Sequence, residues 1–255
     1  MNCQEFLRLL VANGERTAAA EAHLGSCSSC RNMLQSLAAP AAEVPPARVA
    51  AIQELVLSSL APVRPLASNR LLAVRVLLAS VVLAVLCAYP FGYFALRAIS
   101  AAELAVYYSV ILALSVLFSF ALTQDMIPGA KRSLNRSLLI GGTFVVLAVV
   151  VIVLFRTFAI PRFVTAGMGC LRLGVMSALV AGVAAWWWLR RGFITTPVKT
   201  CCLAGTYAGL VGFAMLALHC PLQQAPHILM WHLGTVAISA AAGALIGTAF
   251  QHWAA

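Results

Sequence analysis

The stretch LLIGGTFVVLAVVVIVLF, residues 138–155, contains no ionisable side chain and no proline. As a helix it would rise about 27 Å, close to the roughly 30 Å hydrocarbon core of a bilayer. Lipid offers no partners to backbone N–H and C=O groups, so a spanning segment of this kind must satisfy them internally, as a helix does. Five further stretches read the same way, near residues 71–91, 102–122, 171–189, 200–218 and 229–250. The predicted fold is all-α. Residues 71–255 form a six-helix transmembrane domain, residues 1–39 a small helical domain, and residues 40–70 a proline-rich linker.

Composition supports this division. Of the 255 residues, 62% are hydrophobic and 9% charged, and mean hydropathy is +0.95, values outside the range of soluble globular domains. The net charge of +10 is unevenly spread. Residues 1–60 carry five acids and four arginines, whereas residues 61–255 carry thirteen Lys/Arg against Glu103 and Asp125. The excess therefore belongs to segments flanking the spans and speaks to topology; no direct contact with nucleic acid is expected. The first apolar run begins near Leu71, after a polar segment, and is too long for the h-region of a signal peptide, so the first span is expected to be retained.

Basic residues orient the spans. With the N-terminus inside, Arg64, Arg70, Lys131, Arg132, Arg136, Arg190, Arg191 and Lys199 face the cytoplasm, against Arg97, Arg156, Arg162 and Arg172 outside. Eight against four favours both termini in the cytoplasm. Trp186, Trp187 and Trp188, just before Arg190 and Arg191, suit an aromatic and basic anchor at the inner interface. Gly205-x-x-x-Gly209 and Gly243-x-x-x-Gly247 would let helices approach closely. Glu103 and Asp125 fall at span ends, whereas an ion-coupled transporter needs ionisable groups near the midplane.

Ahead of the membrane, three short helices are expected. Phe6, Leu9 and Leu10 give the first an apolar face, Asn13-Gly14 ends it, residues 15–24 form the second, and a third begins near Cys30. Pro40, Pro45 and Pro46 mark the linker, and Pro62 and Pro65 separate it from the membrane. Between them, residues 47–60 predict an amphipathic helix with Val49, Ile52, Val56 and Leu60 on one face.

The chemistry sits in two places. His23-x-x-x-Cys27-x-x-Cys30 puts an imidazole and two thiols around one helix–turn corner. Zinc favours a tetrahedron of such donors, and Cys3 is the candidate fourth ligand. With five His and eight Cys in the chain, chance predicts roughly 0.005 such matches. Farther on, Cys170 and Cys220 fall at the outer ends of their spans, where paired thiols can oxidise or capture soft metal ions. His219, His227 and His232 lie in or near the same outer loop and are possible accessory ligands. Cys87, Cys201 and Cys202 read as packing residues.

The order Cys3…His23-x-x-x-Cys27-x-x-Cys30, on a short helical domain before a linker helix and a membrane anchor, resembles the zinc-binding anti-sigma domain of bacteria, with a shorter stretch than usual between Cys3 and His23. The six-span remainder resembles the NrsF family of negative regulators of sigma-F-type factors, through Gly169-Cys170, Cys220 and Trp231-His232. Together these resemblances imply an anti-sigma factor of the bacterial inner membrane. Its zinc domain would hold an extracytoplasmic-function sigma factor, with Val49, Ile52, Val56 and Leu60 in the contact. Its membrane domain would receive a thiol, metal or redox signal from the envelope at Cys170 and Cys220. No nucleophile–base pair or phosphate-binding loop is present, which argues against an enzyme. The alternatives are a transporter or channel with a metal-binding regulatory domain, or a membrane redox enzyme using His219, His232 or the outer cysteines around a cofactor.

Overall fold

The computed structural model describes residues 2–11, 17–38, 45–59, 68–127, 134–158, 163–190, 192, 194 and 196–253. It divides into two compact units, residues 1–64 and 65–255. Among the described residues every regular element is helical.

The first unit contains α1 (Cys3–Val11), α2 (Ala18–Ser26), α3 (Ser28–Ala38) and α4 (Pro46–Ser59). The start of α1 is tied by Asn2 and Glu5, each backbone N–H donating to the other's side chain at 2.9 Å. Thr17 caps α2, its hydroxyl accepting from the Ala20 N–H at 3.3 Å. The third helix starts at Ser28, two residues before the expected Cys30, because Cys27 already ends α2 and α3 follows directly. Phe6, Ala20 and Cys30 form the small core, packed by Leu24, Cys27 and Met33. On α4 the exposed apolar surface is broader than one stripe. Besides Val49, Ile52 and Val56 it includes Leu55 and Leu57. Leu60, Asn13-Gly14, Glu15, Pro40, Pro62, Pro65, Arg64, Lys131, Arg132, Arg162 and Arg191 lie outside the described residues.

The second unit holds six helices long and apolar enough to cross a membrane. They are α5 (Asn69–Ala88, extended by a 3-10 turn at Tyr89–Phe91), α7 (Ala101–Met126), α8 (Arg136–Leu154), α9 (Phe163–Leu189), α10 (Pro197–His219) and α12 (Leu233–Trp253). Two short helices, α6 (Ala95–Ala98) and α11 (Ala225–His227), lie in connections, and a π-helical turn at Ile228–His232 leads from α11 into α12. Helix α10 is the centre of the bundle, 72% buried against 11–33% for the other five spans. It packs against α12, α9, α5 and α7. Tyr207, Leu210 and Phe213 on α10 meet Tyr107, Ile111 and Phe118 of α7 in the main core. The outward faces of the other helices carry exposed leucines and valines, as lipid-facing surfaces do.

The glycine motifs set the tightest seam. A Cβ on Gly205 would fall 2.2 Å from the Ser239 carbonyl oxygen, and one on Gly243 would fall 2.2 Å from that of Cys201. Gly209 and Gly247 are closed somewhat less tightly, by Val236 at 2.6 Å and Val198 at 2.5 Å. Small residues are therefore required where α10 crosses α12. At the end of α9, Trp186 stacks on Phe250 with ring centroids 5.0 Å apart, and Arg190 lies over the Trp187 ring.

Candidate metal centres

Two clusters of His and Cys converge, and within each the candidate ligand atoms lie within 4.8 Å of one another. The first contains Cys3, His23, Cys27 and Cys30. Cys3 opens α1, His23 rides on α2, Cys27 forms the corner, and Cys30 stands in the first turn of α3. The corner is held by the Cys27 N–H, which donates to the His23 carbonyl at 2.8 Å. Arg31 reaches back to donate to the carbonyls of Leu24 and Gly25, satisfying the end of α2.

The donor set suits a tetrahedral metal. Cys3 and Cys27 sulfurs are 3.8 Å apart, and a tetrahedron with zinc–sulfur bonds of about 2.3 Å has edges of about 3.8 Å. His23 Nε2 is buried and has no hydrogen-bond partner among the described residues, a costly state that a ligated cation would relieve. The Cys27 thiol is held below its ordinary value, chiefly by the Cys30 backbone N–H at the start of α3 and then by the Cys3 side chain. Burial, reinforced by the neighbouring Cys27 and Cys3, pushes Cys30 up to about 11. Cys27 is thus more acidic than Cys30, whose proton a bound cation would displace.

The second cluster contains Cys170, Cys220, His227 and His232. Sequence spacing placed Cys170 just before the fourth span. Instead α9 begins at Phe163, so Cys170 lies about two turns inside it. Cys220 is the residue that ends α10, and the two sulfurs are 3.4 Å apart. His227 Nε2 lies 3.5 Å from Cys220 Sγ. The His232 ring stands 5.3 Å from that of His227. Cys220, His227 and His232 are each 1% exposed, whereas Cys170 is half-buried.

His219 does not join this cluster. Its Nδ1 lies 3.1 Å from the Gly92 carbonyl oxygen, with its ring between Phe91 and Phe94. Gly92 adopts φ +85° to turn the chain there, a conformation glycine accepts without steric cost. The expected accessory role for His219 is replaced by that of a strut between α10 and the connection after α5.

One polar constellation escaped the sequence reading. Arg136, the first residue of α8, makes a buried ion pair with Asp125 near the end of α7. Arg136 also donates to Thr196 at 2.6 Å, and the Thr200 hydroxyl donates to Asp125 at 3.0 Å. The ends of α7, α8 and α10 are joined through these groups. The only signal in the sequence was that Asp125 is one of two acids after residue 60.

A six-helix apolar bundle with a Cys/His cluster and a tightly packed central helix, preceded by a small unit with a second such cluster, defines a multi-pass membrane protein with candidate metal centres. Residues 57–253 match the family model NrsF, negative regulator of sigma F, and the chain belongs to that regulatory family. The match includes the second cluster; the first lies before it. No curated protein and no solved structure matches the chain.

Proposed function

We propose that the protein is a membrane-anchored anti-sigma factor of the bacterial inner membrane, with both termini in the cytoplasm. Its N-terminal unit sequesters an extracytoplasmic-function sigma factor, and its membrane domain releases that factor when an envelope signal reaches Cys170 and Cys220. The family match over residues 57–253 is the observation that carries the reading. Helix α4 supports it: five apolar side chains from Val49 to Leu57 stand exposed on a helix of fourteen residues. A surface of that kind marks a docking face, and a helix laid into a groove between sigma-factor domains would bury it. Zinc at Cys3, His23, Cys27 and Cys30 would hold together three helices whose shared core is only a few residues.

The test is co-purification of the full-length chain, extracted in detergent, with the candidate sigma factor from a co-expressing strain. A stable complex that lowers transcription from that factor's promoters is expected. Failure to retain any extracytoplasmic-function sigma factor from its own cell would overturn the reading.

A further inference from the structure

We propose that Cys170, Cys220, His227 and His232 bind one soft divalent cation, zinc or cadmium, through two thiolates and two imidazoles. This deepens the reading of Cys170 and Cys220 as the receiving thiols and rests on it only for the regulatory consequence. The site itself rests on geometry.

The four donors come from three segments, α9, the end of α10, and the turn leading into α12. The backbone is shaped to gather them. Residues five apart on an α-helix point about 140° apart, so His227 and His232 would diverge on regular helix. The π-helical turn Ile228–His232 changes that, with the Leu233 N–H donating to the Ile228 carbonyl. Bonding from i to i+5 stacks residues five apart, and such turns recur at functional sites. The two rings consequently stand edge to face at 5.3 Å.

Burial makes the arrangement expensive without a ligand. Both ring nitrogens of His232 are buried and have no hydrogen-bond partner among the described residues, although the residue is only 1% exposed. An imidazole in that state gives up its hydration for little more than the nearby Cys170 thiol. Coordination would satisfy it. The separations of 3.4 Å between the sulfurs and 3.5 Å from Cys220 to His227 need to open only by tenths of an ångström to reach a zinc tetrahedron with edges of about 3.8 Å between sulfurs.

The donor set also selects the ion. Two thiols and two imidazoles with no carboxylate in the cluster suit zinc or cadmium and disfavour magnesium and calcium, which require oxygen ligands. Two thiolates balance a divalent charge, so the loaded site is neutral, as a site at the edge of a membrane bundle needs to be. Cys170 is the least buried of the four donors. Once bound, the cation would pin α9 to the end of α10 and the start of α12.

Co²⁺ titration of the full-length protein in detergent tests this, in a Cys27→Ser/Cys30→Ser background that disables the N-terminal cluster. One Co²⁺ per chain is expected, with tetrahedral d–d absorption and thiolate-to-cobalt charge transfer. Cys220→Ser should abolish the charge-transfer band, His232→Gln should weaken binding by about tenfold or more, and His219→Gln should leave it unchanged. No thiolate charge transfer, or an affinity left unaltered by both His227→Gln and His232→Gln, would overturn the proposal. Because a variant can misfold, Cd²⁺ is also added to the otherwise unaltered background protein. A higher Tm is expected, since a ligand that binds only the native state stabilises it; an unchanged Tm overturns the site. Sigma-factor retention is read in parallel from the chain with its N-terminal cluster intact. Metal binding without retention supports the site and removes the anti-sigma reading, whereas retention without metal binding overturns the site alone.

Discussion

Arg136 and Asp125 form an ion pair whose side chains are only 10% and 2% exposed, at the junction between the end of α7 and the start of α8. Withdrawing one member of a buried pair costs up to about 3–5 kcal/mol, because the other charge loses a partner. Arg136→Ala should therefore lower the stability of the detergent-solubilised protein by that order, seen as a clear fall in Tm. Arg136→Lys should recover only part of it. Lysine keeps the charge but lacks the fork that reaches Asp125 and Thr196 together.

The α10–α12 seam gives a prediction of opposite signs. Gly205→Ala would drive a methyl to 2.2 Å from the Ser239 carbonyl oxygen, and the backbone there cannot yield cheaply. A loss of about 1–3 kcal/mol is expected. Gly141→Ala, on α8, meets nothing within 4 Å. It should be neutral or stabilising by up to about 1 kcal/mol, from helix propensity. Equal Tm changes in the two variants would show that the seam is looser than its geometry indicates.

These two sites illustrate what the sequence could and could not reveal. The spans were readable because a bilayer imposes length and apolarity, and runs such as 138–155 satisfy both without ambiguity. The glycine seam was readable because only small residues allow that approach. Cys170 and Cys220 could be paired because both fall toward the outer ends of their spans, although Cys170 lies about two turns inside α9. His232 was legible only as one of three possible accessory ligands, because its seat depends on a π-turn whose residues, Ile-Leu-Met-Trp-His, look like ordinary helix. For the same reason His219, adjacent to Cys220 in sequence, looked equivalent to His227 although its ring turns to Gly92. The partner of Asp125 was hidden too, since Arg136 reads as one more inner-face cation.

The N-terminal cluster predicts a pH-dependent metal. The first unit should carry one zinc per chain, measured on protein lacking Cys170 and Cys220. Binding needs thiolates, and Cys30 holds its proton up to about 11 until a cation displaces it. Affinity should therefore fall as pH drops, with protons released on loading. Cys27→Ser and Cys30→Ser should each lose the metal. Undiminished zinc in both would refute the assignment, whereas loss in these but not in Cys3→Ser would remove only Cys3 from the ligand set.

Helix α4 should make the sigma-factor contact. Ile52 and Val56 are about half exposed on it, so Ile52→Asp/Val56→Asp should leave the fold intact. Placing unpaired carboxylates in an apolar contact is costly, and a loss of at least tenfold in affinity is expected, or about 1.4 kcal/mol. Wild-type recovery of the sigma factor with the double variant would place the interface elsewhere.

The signal should enter at Cys170 and Cys220. With both termini inside, as proposed, the connection between α8 and α9 would face out, and Thr157→Cys should react with an impermeant thiol reagent in intact spheroplasts. Asn135→Cys, at the start of α8, should react only after lysis. Cys170, half-buried, should react more slowly than Thr157→Cys, and Cys220, 1% exposed, should be protected. A signal acting here must favour one helix packing over another of similar energy, since only a difference in binding to the two states can shift them. Cys170→Ser/Cys220→Ser should therefore keep repressing the sigma factor yet fail to release it when thiol-reactive metals reach the envelope. Induction of the regulon with an unaltered dose response in that variant would mean that the two thiols only pack, and that the membrane domain is triggered at another point.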